Sequence, residues 1–381
     1  MVGARSMAQI AHAKLGASNA HRWMACPGSV AAEDGLPDKT SPFALEGTEA
    51  HDLAEKALSA EFPQAVLDEY PNSEMAEFVR VYTDYVLAHS TPIAADAMEI
   101  EQRVDYSDWV PGGFGTADAV IVNGNTLHVV DLKYGMGVRV DAEENPQGML
   151  YALGAYAIWS MFQHIDRVLI TIVQPRLDHI SEWEITVPAL LRWAELAKQR
   201  AELTAEADAP REPGEKQCRF CKAKASCQAL MRHTEATLLS DFDDLDNMPK
   251  ANTLTEQQMR VALDAKPLIE GWLGAIEKLA KDRLEDGDGF PGYKLVEGRS
   301  NRKWSDEREA EMALTELLGD KAFSKPKIVS PAQAEKALGK TRAAEIGGLI
   351  IKPHGAPTLA PESDKRPAIG VSLEDFGDVT E

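Results

Sequence analysis

Residues 113–133 read Gly113-Phe114-Gly115-Thr116-Ala117-Asp118-Ala119-Val120-Ile121-Val122-Asn123-Gly124-Asn125-Thr126-Leu127-His128-Val129-Val130-Asp131-Leu132-Lys133. Two apolar, β-branched runs flank an Asn-Gly turn, which predicts an antiparallel hairpin. Asp118 falls on the first strand and Asp131 at the exit of the second, so the hairpin can bring both carboxylates within reach of one cation. Lys133 stands two residues past Asp131, and strand alternation puts both side chains on one face. Leu132 points the other way, into the core, leaving its carbonyl free as an additional ligand. Hydrolysing a phosphodiester requires neutralising charge on the phosphate and lowering the pKa of the attacking water. Mg²⁺ or Mn²⁺ held by carboxylates does both, and a neighbouring ammonium orients the water or stabilises the transition state. The pattern therefore predicts a metal site at Asp118 and Asp131 assisted by Lys133.

Outward from this hairpin the periodicity alternates between helix and strand. Glu46–Leu58 and Glu74–Leu87 carry apolar residues at helical spacing. Met98–Val104 alternates with period two and predicts a strand that precedes the hairpin. Asn145-Pro146 pairs a capping side chain with a residue suited to the first helical position, so a helix is expected from there to about Trp159. Arg167–Gln174 reads as a buried strand, Ser181–Val187 as its neighbour, and Ala189–Ala207 as a helix. This order predicts an α/β core with a mixed central sheet flanked by helices. Further on, the acidic run Asp241–Asp246 predicts a surface linker and Thr255–Leu284 one long helix. A small α/β appendage with a helix over 306–318 follows.

Composition narrows the class. An apolar fraction of 44% is enough to bury a core, and the longest apolar runs have strand length rather than the roughly 20 residues of a membrane span. No apolar signal-peptide region stands near the start, so a cytoplasmic location and no membrane partner are expected. A net charge of −21 excludes a general coater of nucleic acid. It does not exclude a nuclease, and Arg211, Lys216, Arg219, Lys222, Lys224 and Arg232 form a local basic run against Glu212 and Glu215.

Within that run lies Cys218-Arg219-Phe220-Cys221, followed by Cys227; the remaining cysteine is Cys26, in Trp23-Met24-Ala25-Cys26-Pro27-Gly28-Ser29. Intracellular cysteines so spaced read as metal ligands. Both structural zinc and a [4Fe-4S] cluster fit, the spacing leaning slightly to zinc.

The segments Glu46-Gly47-Thr48-Glu49-Ala50-His51, Gly115-Thr116-Ala117-Asp118, Asp131-Leu132-Lys133-Tyr134-Gly135 and Gln147-Gly148-Met149-Leu150-Tyr151 resemble the PD-(D/E)xK nuclease superfamily. The likeness is to its RecB-like branch, which includes Cas4 and the AddB nuclease domain. The chain resembles more closely the phage and prophage family DUF2800, within that branch. The resemblance implies a restriction-endonuclease-like core with a Cys-cluster lobe. It makes His51 a third metal ligand beside Asp118 and Asp131, and imidazole leans toward Mn²⁺. It places Gln147 and Tyr151, four apart on one helix face, beside the catalytic lysine or DNA. It also implies that Cys26, Cys218, Cys221 and Cys227 hold a [4Fe-4S] cluster as a structural staple.

The resulting expectation is a nuclease core with iron–sulfur lobe over 15–235 and an acidic linker over 236–252. A helical/α+β accessory region over 253–355 and a flexible tail over 356–381 complete it. The expected activity is a Mg²⁺/Mn²⁺-dependent deoxyribonuclease, an exonuclease on DNA ends or single strands in phage recombination or replication. A single-strand annealing protein or a helicase would act in trans in the bacterial host. The alternatives are a structure-specific endonuclease and a non-catalytic DNA-end-binding or assembly protein.

Overall fold

The computed structural model describes residues 13–37, 41–90, 98–239, 256–298 and 302–324, with short segments beyond, among them 342–351 and 357–361. Most of the expected acidic linker, Asp241–Asp246 included, and most of the tail fall outside the described residues. The chain divides into two compact units, Met1–Trp272 and Leu273–Glu381.

The first unit opens with short helices α1 (Ala20–Ala25) and α2 (Ser29–Glu33). It continues through α3 (Pro42–Leu58), α4 (Pro63–Asp68) and α5 (Ser73–His89). Strands β1 (Met98–Asp105), β2 (Phe114–Asn123) and β3 (Thr126–Leu132) then lead into α6 (Pro146–Trp159). Next come β4 (Arg167–Gln174), β5 (His179–Thr186) and α7 (Val187–Leu203), then α8 (Glu215–Arg219) and α9 (Gln228–Leu239); the division between the units falls within the long α10 (Glu256–Glu285).

The five strands form one mixed sheet in chain order. β1, β2 and β3 make the antiparallel meander expected from the sequence. The α6 crossover then returns β4 parallel to β3, with Asp131 beside Ile172, and β5 closes the sheet antiparallel to β4. β3 and β4 are central and covered on both faces, which is why they read as near-continuous apolar runs.

Alternation along β2 and β3 feeds two cores. Val120, Val122, Val129, Ile170 and Ile172 face a layer containing Trp23, Met149, Leu150, Leu153, Leu190 and Ala194. Ala119, Ile121, Val130, Leu132 and Val173 pack with Leu53, Ala57, Val79, Tyr82 and Val86 of α3 and α5. Helix α6 starts as predicted: the Asn145 Oδ1 accepts from the N–H groups of Gln147 and Gly148 at 3.0 and 3.1 Å. It lies so close to the sheet that a Cβ on Gly148 would stand 2.5 Å from the Ile170 Cγ2, and one on Gly154 2.8 Å from the Val104 Cβ.

In the second unit Asp306 caps α11 (Glu307–Leu318), accepting from Arg308 and Glu309. Ala310 and Leu314 of that helix pack with Trp304 and Ile346. Tyr293–Glu297 pairs antiparallel with Pro357–Pro361. The segment expected to begin a flexible tail therefore begins as a strand, because its backbone groups find a ladder partner some sixty residues upstream. Among the described residues no helix is long and apolar enough to cross a membrane.

Candidate metal centre and cysteine lobe

The meander's registers line up an acidic row. β1 pairs with β2 through Ile100–Ala119 and Gln102–Ala117, which sets Glu101 opposite Asp118. The β2–β3 ladder ends at Ala119–Val130, and just beyond it Asp118 and Asp131 feel each other's charge. Glu101, Asp118 and Asp131 thus gather like charges on three adjacent strands, which is unfavourable in a sheet without compensation. Glu101 also holds φ of +50°, a left-handed backbone unusual for a non-glycine residue inside a strand.

His51 reaches this row from α3. Its Nδ1 lies 3.3 Å from the Asp118 Oδ1, while the Asp118 Oδ2 accepts the Leu132 backbone N–H at 2.7 Å. His51, Glu101 and Asp118 offer ligand atoms that all lie within 4.8 Å of one another. One imidazole nitrogen and two carboxylates suit a divalent cation of the Mn²⁺ or Mg²⁺ kind. Burial works against charge on His51, but the hydrogen bond and charge of Asp118, with Asp131, push its pKa up to about 8. Burial and the Asp118 charge push Glu101 up to about 7. Without a cation, the group therefore holds protons that a metal would displace.

Asp131 adjoins this group. Its side chain is almost wholly buried, and the Lys133 Nζ stands 2.7 Å from its Oδ2, an ion pair without good hydrogen-bond alignment. The Gln147 Nε2 donates to its Oδ1 at 3.0 Å. Gln147 also accepts from the Lys133 Nζ at 3.0 Å and donates to the Tyr151 hydroxyl at 3.3 Å. Burial, with the Asp118 charge, raises the Asp131 pKa, against the pull of Lys133. His51 and Asp118 thus meet Glu101, and Asp131, Lys133, Gln147 and Tyr151 form an adjoining polar network. The backbone N–H of Leu132 is committed to Asp118.

Glu101 was missed from sequence. In Met98-Glu99-Ile100-Glu101-Gln102 it reads as one more outward acid on an alternating strand, and only the pairing register marks it. Gly115 gains a reason beyond turn preference: a Cβ there would lie 2.7 Å from the Tyr151 Cε1, so glycine leaves room for the ring over β2.

The cysteines come together from both ends of the first unit. Cys26, Cys218, Cys221 and Cys227 line one cavity with Ser29 and Lys224, and all four are free thiols. Burial pushes up the pKa of Cys26 and Cys218, and that of Cys221 to about 12. An all-sulfur donor set suits zinc or an iron–sulfur cluster, either of which would hold the sulfurs as thiolates. Ion pairs fasten the lobe independently of the sulfurs. Arg22 meets Glu33 at 3.1 Å and donates to the Phe220 carbonyl. Arg200 meets Glu212 at 2.9 Å and donates to the carbonyls of Met24 and Ala25. The Glu212 N–H in turn donates to the Cys26 Sγ at 3.3 Å. In the basic run, Arg219 is tied to Glu215, and the Lys224 Nζ to the Arg219 carbonyl.

The family model described as "Protein of unknown function (DUF2800)" matches residues 12–367, and the chain belongs to that family. A solved structure titled "Crystal structure of SSO0001" is 18% identical, over 56% of this chain and 85% of that one, with a TM-score of 0.26. A superposition that loose carries no argument.

Proposed function

We propose that this protein is a divalent-metal-dependent deoxyribonuclease with a restriction-endonuclease-like core, acting as an exonuclease on DNA ends or single strands. The observation that carries this reading is the convergence of His51, Glu101 and Asp118 beside Asp131, Lys133, Gln147 and Tyr151 at one edge of the meander. A cation held by His51, Glu101 and Asp118 would neutralise phosphate charge and lower the pKa of the attacking water. Asp131 pairs with the Lys133 ammonium, and Gln147 accepts from it and fixes its direction. With a quarter of its side chain exposed, Lys133 can donate to a phosphate oxygen as negative charge builds there. Tyr151 stays protonated, because burial raises its pKa far above neutrality, and it serves as a hydrogen-bond partner rather than a base.

The cysteine lobe fits a [4Fe-4S] cluster that ties α1 to the segment after α7; structural zinc is the second reading of the same donor set. The nuclease resemblance favours iron and sulfur, and suggests a role in phage recombination or replication beside an annealing protein or helicase. Incubating the protein with circular single-stranded, linear single-stranded and blunt duplex DNA plus Mn²⁺ tests the activity. Cleavage that requires ends supports the exonuclease, whereas cleavage of circles would make it an endonuclease. No cleavage of any substrate by metal-loaded protein would leave a DNA-binding role and overturn the proposal.

A further inference from the structure

Helix α3 is anchored unevenly. From Ala50 onward its inner face is buried against α5 and the sheet, but its first two turns stand largely in solvent, with Phe43 78% and Leu45 62% exposed. His51 sits where the two halves meet. Among the described residues, two side-chain contacts tether the exposed half to the rest of the unit. The Tyr70 hydroxyl donates to Glu49 at 2.5 Å, and the Arg176 Nη1 donates to the Glu46 Oε2 at 3.0 Å.

The second contact is the better built. Arg176 follows the end of β4, the strand whose Val173 pairs with Leu132 and whose Val173 carbonyl accepts the Lys133 N–H at 2.9 Å. Its guanidinium lies 4.9 Å from the Tyr134 ring centroid and 5.9 Å from that of Phe78, and the side chain is only 14% exposed. Tyr134 is the neighbour of Lys133, and Phe78 belongs to α5, against which α3 packs. One cation thus touches the start of the histidine helix, the residue after the lysine, and the helix beneath both. A buried guanidinium stacked on rings while bonding a carboxylate holds one geometry, which a flexible ammonium does not reproduce.

We infer that Arg176 is a positioning residue for the metal site, fixing the helix that presents His51 against the strand exit that presents Asp131 and Lys133. The inference rests on the metal-site reading proposed above and adds to it a residue that touches neither cation nor substrate. Groups that orient metal ligands from outside typically change metal affinity by about 10–100-fold when removed.

The test compares Arg176→Gln and Arg176→Lys with Arg80→Gln, a control that removes another arginine contact of α5, to Asp68. Mn²⁺ titration of the full chain should show weakening of about 10-fold or more in Arg176→Gln, incomplete recovery in Arg176→Lys, and a change below about twofold in the control. Amide exchange over residues 46–51 should quicken in Arg176→Gln and not in the control. Wild-type Mn²⁺ affinity in Arg176→Gln, or unchanged exchange over that turn, overturns the inference. Should Arg176→Gln fail to fold, Glu46→Gln cuts the same tether from the exposed side and must show both effects. If the wild type binds no Mn²⁺, the metal-site reading fails, and the exchange measurement alone decides whether Arg176 holds this helix.

Discussion

The acidic row and the four cysteines, two groups of candidate ligands in this molecule, are held in opposite ways. In the row, side chains pair with one another: His51 meets Asp118, Lys133 meets Asp131, and Gln147 bridges to Tyr151. In the lobe, Cys26 accepts one backbone N–H, and the surrounding ion pairs of Arg22 and Arg200 carry the fastening. On the proposed reading, the row brings like charges together around a cation, and the cysteines would bind theirs as thiolates. Losing a metal should therefore cost the row activity and the lobe stability.

The largest separation should come from one substitution in each. Asp118→Asn keeps the shape but takes a charge from the ligand group, and Mn²⁺-dependent cleavage should fall below detection in a gel assay. Lys133→Gln should lower the rate by about 10²–10³-fold, the usual effect of deleting one donor aimed at developing charge. Either variant cleaving at the wild-type rate removes the row from the chemistry. Cys26→Ser should do the reverse. Anaerobically purified wild type should be brown with about four iron atoms per chain, and the variant should lose the iron and melt earlier. One tightly bound zinc in a colourless preparation would establish the zinc reading, and a metal-free wild type would end both.

The pH dependence sharpens the contrast. Folding raises the pKa of Glu101 from 4.5 to about 7 and of His51 from 6.5 to about 8. Both groups bind protons more tightly folded than unfolded, so their contribution to metal-free stability is greatest at low pH. The Glu101 part is lost as pH rises from 4.5 through about 7, and the His51 part from 6.5 through about 8. Mn²⁺ uptake displaces the same protons, so affinity should climb over that window. Calorimetric titration in two buffers of different ionisation heat would reveal the released protons; Glu101→Gln should shrink the release. An affinity flat from pH 6 to 8 would remove Glu101 and His51 as ligands.

The smallest effects concern two glycines on either side of the row. Gly115→Ala pushes a methyl against Tyr151 and should destabilise by about 1–3 kcal/mol in urea unfolding. Gly47, inside α3 with open space around it, should gain about 0.5–1 kcal/mol as alanine. Equal effects of the two changes would show that the Tyr151 ring does not pack over β2 as described.

The sequence by itself determined the hairpin, the flanking helices and most residues of the candidate site. Alternating apolar residues, the Asn-Gly turn and the Asn145-Pro146 start are local signals that need no distant partner. Asp118, Asp131 and Lys133 were legible because strand alternation fixes which side chains share a face. The tertiary structure decided what depends on register and on pairs far apart in the chain. Glu101 enters the ligand group because β1 happens to pair with β2 so that it faces Asp118, and no local pattern encodes that offset. Gln147 reaches one Asp131 oxygen because the helix after β3 packs back against the sheet, while Lys133 pairs with the other. Arg176 matters because β4 lies parallel to β3 and delivers it beside Tyr134 and Glu46. Local propensity chooses elements residue by residue, whereas a site is a meeting of side chains, and where they meet is set by the packing of the whole unit.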